Sequence, residues 1–287
     1  MPTTIFIAIL FNVVILSDYH FVQTVEAPGD MHYSDPMGNV YIVKNNTLKK
    51  FNSSHVESGV YTNTFLGNIQ SVDVSDPLRI LIFYKDHNQV VWVDNFLSEI
   101  LSPVWLDVLG ADQAKLVCSS NQGGLWVFNG LNNQLQYYNV NLELVNESPS
   151  LNLLTGPDIS PTFMLEKSRS LYLNIPGTGI LVFDRFGNYS KTLPVETPSV
   201  FQVTDSYVYY MSEEKLYSYN LRSSEISILE LPDSMLEGQP DLRQSELESG
   251  KVEPGKVESG GLLKAELQPG FLFLYTSVGY SVYTTNP

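Results

Sequence analysis

The chain has 287 residues, 43% of them hydrophobic and 12% aromatic, which is enough apolar side chain for a packed core and too much for global disorder. Only 16% of residues are charged, yet acids outnumber bases 31 to 16, for a formal net charge of -15. A chain of that sign repels phosphate, which excludes nucleic acid as a partner, and its single cysteine, Cys118, forbids an intramolecular disulfide and any cysteine-built zinc or redox site.

In chain order, the first feature is an apolar run from Ile5 to Leu16, broken only by Asn12. It is too short to span a bilayer as a helix, and its length and position fit the core of a secretory signal. The expected signal covers residues 1–19, with cleavage between Ser17 and Thr24. What remains is a single domain of residues 20–287 with no transmembrane span.

A repeated phrase follows: an apolar strand with a central aromatic or leucine, a short turn, then a second strand that usually ends in an aromatic followed by Asn or Asp. The copies are Asn39–Val43 with Leu48–Asn52, Arg79–Phe83 with Val90–Asp94, and Gly124–Phe128 with Leu135–Asn139. Three more are Ser170–Leu173 with Ile180–Asp184, Tyr207–Tyr210 with Leu216–Asn220, and Phe271–Tyr275 with Tyr280–Tyr283. The central residues Tyr41, Leu81, Trp126, Tyr172, Tyr209 and Phe273 are spaced by 40, 45, 46, 37 and 64 residues. An all-strand repeat of this period predicts an all-β, six-bladed β-propeller of four-stranded antiparallel blades.

Each blade needs two more strands. Alternating segments at Ile69–Val74, Ala114–Ser119, Pro161–Leu165, Val200–Thr204 and Leu262–Leu267 supply the first. Less hydrophobic segments at Leu97–Leu101, Leu142–Glu147, Tyr189–Pro194 and Ile226–Leu231 supply the outermost. The Asn or Asp that closes each phrase is expected to bond local backbone at the turn into the outer strand, and the recurrent rings are expected to fill the wedges between blades. Between the fifth and sixth blades, Gly238–Gly261 has no aromatics, many charges and two near-copies of Gly-Lys-Val-Glu; it reads as a low-complexity insertion. Too little chain follows Tyr283 for a last outer strand, so Phe21–Glu26 is expected to complete the sixth blade and close the ring.

Catalytic signatures are missing: no nucleophile elbow, phosphate-binding glycine loop or zinc motif occurs. His20, His32, His55 and His87 lack metal-ligand spacing, and Cys118, in a strand-like run, reads as a small buried hydrophobe. The acids near inner strands, Asp73, Asp76 and Asp205, are the candidates for oxygen ligands to calcium.

The phrases Asn39–Lys44, Ser71–Leu78, Phe83–Asp86, Gln113–Ser120 and Gly177–Asp184 resemble an uncharacterised family of exported six-bladed propeller proteins found in Bacteroidota. The resemblance spans residues 20–232 and 262–283 and implies fold, export and lineage, with no catalytic residue. Sequons at Asn45, Asn52, Asn146 and Asn188 would matter in a eukaryotic secretory protein, whereas this lineage implies O-glycosylation at Asp233-Ser234-Met235.

Taken together, these readings favour a monomeric, non-catalytic scaffold of the periplasm or cell envelope that presents a binding surface to a protein or glycan and needs no cofactor. The alternative is a calcium-dependent hydrolase or lyase of the lactonase-like propeller type, with its site in the central channel.

Overall fold

The computed structural model describes residues 12–14, 19–156, 159–195, 200–232 and 261–285. Within them, two strands precede the first blade, β1 (Asn12–Val14) and β2 (Tyr19–Glu26). Blade one holds β3 (Met31–Ser34), β4 (Val40–Lys44), β5 (Thr47–Phe51) and β6 (Glu57–Thr62). Blade two holds β7 (Ser71–Asp73), β8 (Ile80–Tyr84), β9 (Gln89–Val93) and β10 (Val104–Trp105). In blade three they are β11 (Ala114–Ser119), β12 (Leu125–Asn129), β13 (Gln134–Tyr138) and β14 (Leu144–Glu147). Blade four has β15 (Phe163–Lys167), β16 (Ser170–Ile175), β17 (Gly179–Asp184) and β18 (Tyr189–Leu193). Blade five has β19 (Phe201–Val203), β20 (Tyr207–Ser212), β21 (Lys215–Asn220) and β22 (Ile226–Leu229). Blade six has β23 (Lys264–Gln268), β24 (Phe271–Tyr275) and β25 (Gly279–Thr285).

The sixth blade is completed from the other end of the chain. β2 pairs antiparallel with β25, from Tyr19 opposite Thr285 to Glu26 opposite Gly279; it contains the expected closing segment Phe21–Glu26 and begins two residues before it. The fifth blade carries something the repeat does not predict: β1 adds in parallel to the outside of β22 as a fifth strand.

Why the strands read as nearly continuous apolar runs follows from the core. Both faces of each blade are covered, so consecutive side chains enter opposite blade boundaries. Tyr41 and Val43 pack with Ile80, Ile82 and Val91 of blade two, while their neighbours Val40 and Ile42 pack with Phe273, Tyr275 and Val282 of blade six. The same division repeats at each boundary: Leu125 and Val127 face blade two, whereas Trp126 and Phe128 face blade four. Two further clusters join blades four and five and blades five and six. Six boundaries, each filled, make the ring.

Two expectations need correction. The outer strand of blade two is not Leu97–Leu101 but Val104–Trp105, which pairs with Val90 and Gln89. Leu97 has a left-handed φ of 61° and closes the preceding turn, and Pro103 offers no N–H, so the edge holds only a single bridge, Val93 to Glu99, before the chain returns. Tyr209 is only half-buried, unlike Tyr41, Leu81, Trp126 and Phe273, which are fully buried. The insertion at 238–261 and Asp233-Ser234-Met235 lie outside the described residues, apart from Gly261, as does most of the expected signal.

Candidate functional site

In a four-stranded meander, the turn between strands one and two and the turn between strands three and four share one end, so in the ring they share one face. The sequence builds these turns in a uniform way. Asn52, Asp94, Asn139 and Asp184 each follow or end a third strand, and the Oδ1 of each accepts the backbone N–H groups two and four residues ahead at 2.8–3.0 Å. Asn220 Oδ1 accepts from the N–H groups two and three residues ahead, Arg222 and Ser223, and Asp35 serves Met37 and Asn39, two and four ahead, between β3 and β4. Burial raises the Asp184 carboxyl, but hydrogen bonds from Asn188 and Phe186 and the nearby Arg185 outweigh it and hold the group below its ordinary range.

The third residue after each of the four is left-handed: His55, Leu97, Leu142 and Gly187, with φ between 60° and 83°. A non-glycine residue there costs roughly 1 kcal/mol, and these side chains offset it by packing on the preceding blade. His55 lies against Phe273 and Tyr280 of blade six, Leu97 against Gly59 of blade one, and Leu142 against the cluster between blades two and three. The turns therefore pin each blade to its neighbour while their tips stand outward. Val56, Phe96, Val140 and Phe186 on the third–fourth turns, with Met37 and Leu78 on the first–second turns, are all exposed, Phe96 to 77% and Leu78 to 67%. They lie on turns of blades one to four and form an arc of large apolar groups on one face.

Inside the ring, the first strand of each blade lies nearest the axis, as the contacts of β11 with β7 and β15 and of β23 with β3 require. Polar side chains on these strands reach across blade boundaries. At the seam between blades six and one, Glu266 accepts from Ser34 Oγ at 2.6 Å and Tyr275 OH at 3.0 Å and pairs with Lys264 Nζ at 2.5 Å. Lys264 also donates to the His32 carbonyl and lies 5.0 Å from the centre of the Tyr33 ring. Gln268 donates to the carbonyl and hydroxyl of Ser34. His32 is buried against Tyr275, with its Nε2 buried and unpartnered. Desolvation, then the Lys264 charge, lowers its pKa to about 4. The Tyr275 hydroxyl is pushed well up by burial and by Glu266.

The sequence-derived candidates fall in two places. Asp73 ends β7 and accepts from Ser119 N of blade three at 2.7 Å and from Ser75 N at 2.9 Å. Asp76 caps its own turn through Leu78 N. Asp205 lies in blade five, opposite blade two in the ring, and accepts from Ser168 Oγ of blade four. They are not brought to one point, and among the described residues no three His, Cys, Asp or Glu side chains are grouped to hold a metal ion. The three do not fit one calcium ion. Cys118 is buried, and burial, followed by Asp73 and Glu166, raises its thiol. Sequence reasoning missed Glu266, Lys264 and Glu166; the only local signal was charge on otherwise apolar inner strands.

No family model matches the chain, and no curated protein matches it. Solved structures do. The WD40 domain of Pan2 from Neurospora crassa superposes with a TM-score of 0.57 at 10% identity, covering 96% of this chain and 98% of that one. The catalytically inactive virginiamycin B lyase from Staphylococcus aureus with quinupristin gives 0.54 at 11% identity, covering 89% and 80%. BamB from Moraxella catarrhalis gives 0.53 at 9%, covering 93% and 100%. At such identities the likeness establishes the β-propeller fold alone. No helix among the described residues is long and apolar enough to cross a membrane.

Proposed function

We propose that this protein is a non-catalytic propeller scaffold of the bacterial cell envelope that presents a binding surface to a protein or glycan. The observation that carries this reading is the arc of exposed apolar tips on blades one to four, at Met37, Val56, Leu78, Phe96, Val140 and Phe186. Single exposed apolar residues are ordinary, but several at equivalent turn positions of one face mark an interaction surface. The backbone beneath each tip is held by its own turn hydrogen bonds and by the neighbouring blade, so little ordering entropy is lost on binding. Export rests on the apolar run at Ile5–Leu16. The lactonase-like alternative finds less support, because Asp73, Asp76 and Asp205 serve turns and blade contacts in separate parts of the ring.

The test is capture from envelope extracts with immobilised protein, compared with Leu78→Glu/Phe96→Glu. A bound species lost at least tenfold in the variant, with an unchanged melting temperature, is expected. No species above background across several salt concentrations would overturn the reading. Melting curves in calcium and in chelator separate the alternative: they should coincide, and a calcium-dependent rise would favour the enzyme.

A further inference from the structure

We propose that the outer edge of blade five is a strand-acceptor site that takes an extended segment of a partner protein, apolar at its centre and basic at its flanks, in parallel with β22. Three observations carry it. The edge already holds an added strand: Asn12, Val13 and Val14 lie opposite Ser227, Ile228 and Leu229 in parallel. β1 is extra to the meander, since each of the other five blades stops at four strands. Removal of the expected signal, residues 1–19, takes β1 with it and leaves this edge open in the exported chain, so β1 displays the geometry by which a foreign strand would bind.

The second observation is the missing protection of this edge. Outer strands discourage further pairing with charged residues, and here β2 carries Glu26, β6 carries Glu57, β14 carries Glu147 and β18 carries Lys191. The two-residue β10 is too short to offer a ladder. β22 reads Ile-Ser-Ile-Leu, with no charge and no proline. The third is charge at its ends. Exposed Glu225 and Glu230 bracket the strand, so a segment with an apolar centre and basic flanks is complementary, while an acidic one is repelled. Main-chain hydrogen bonds would supply affinity, and the half-buried Ile226 and Ile228 would select apolar neighbours. The site rests on the scaffold reading and names one surface and one class of partner for it.

The experiment uses the full chain in two forms. Val13→Pro removes an N–H and strains β1, which frees the edge. Asn12→Cys/Ser227→Cys, oxidised, locks β1 in place. The probe is a fluorescent peptide carrying Phe11 to Ile15 between pairs of lysines, with a proline-substituted peptide of equal charge as control. Anisotropy should show the peptide binding Val13→Pro at least tenfold more tightly than the locked chain. The control should bind at least tenfold more weakly than the peptide, and hydrogen exchange should slow at residues 226–229. Equal binding to both forms, equal binding of the control, or no binding to folded Val13→Pro overturns the site. Loss of fold in Val13→Pro also overturns it, because β1 would then be a structural strap. An envelope partner still captured in any of those cases leaves the scaffold reading standing.

Discussion

The indole Nε1 of Trp126 donates a 2.8 Å hydrogen bond to Oε2 of Glu166 across the boundary between blades three and four. The ring also packs against Tyr137, with centroids 5.1 Å apart, within the cluster that includes Leu171, Leu173 and Phe183. One residue thus fills a wedge and satisfies half of a buried carboxylate whose other oxygen has no partner.

Trp126→Ala should destabilise the protein by about 3 to 5 kcal/mol, because it opens a cavity and strips the carboxylate of a donor. Trp126→Phe keeps most of the packing and should cost about 1 to 3 kcal/mol, chiefly from Glu166. Urea denaturation midpoints at constant slope measure both. An alanine variant within about 1 kcal/mol of wild type would contradict the blade boundary described here.

His32 makes stability depend on pH. Its pKa falls from the ordinary 6.5 to about 4 in the fold, so between these values the unfolded chain binds more protons than the native one. Stability from this group is complete above pH 6.5 and is lost as pH falls toward 4, by about 3 kcal/mol in all. His32→Asn should flatten that segment of the stability curve. A slope between pH 6.5 and 4 identical in wild type and variant would place the titration elsewhere.

Removing Phe21–Glu26 leaves β25 an open edge and unseats Val25 from the blade six–one cluster. The melting temperature should fall by more than about 10 °C, since several kcal/mol of packing and pairing are lost. An unchanged transition by differential scanning calorimetry would refute closure through β2.

Asp94→Ala removes the acceptor of Phe96 N and Ser98 N and should cost about 1 to 2 kcal/mol. Asp94→Asn keeps an Oδ1 in place and should stay within about 0.5 kcal/mol, as Asn52 and Asn139 do this work in other blades. Thermal melts of the two variants side by side decide it.

The repeat, its six copies and its turns were legible in the residue order because they are local. A strand buried on both faces must read as an apolar run, and an Asn or Asp that bonds N–H groups two and four residues ahead needs nothing from elsewhere in the chain. The closing strand was legible too, since an open last blade calls for one. The partners of inner-strand side chains were not. Ser34 and Glu266 stand 232 residues apart, and only closure of the ring brings them within 2.6 Å. Asp73, Asp76 and Asp205 look alike in sequence, yet blade order puts two on one side of the axis and the third on the other. Phe96 and Trp126 are both aromatic, one exposed at a turn tip and one sealed between blades, and the course of the backbone around the axis makes that difference. Local hydrogen bonding and side-chain periodicity act over a few residues and so are written in order along the chain, whereas which groups meet, and which face solvent together, depends on how six blades close around one axis.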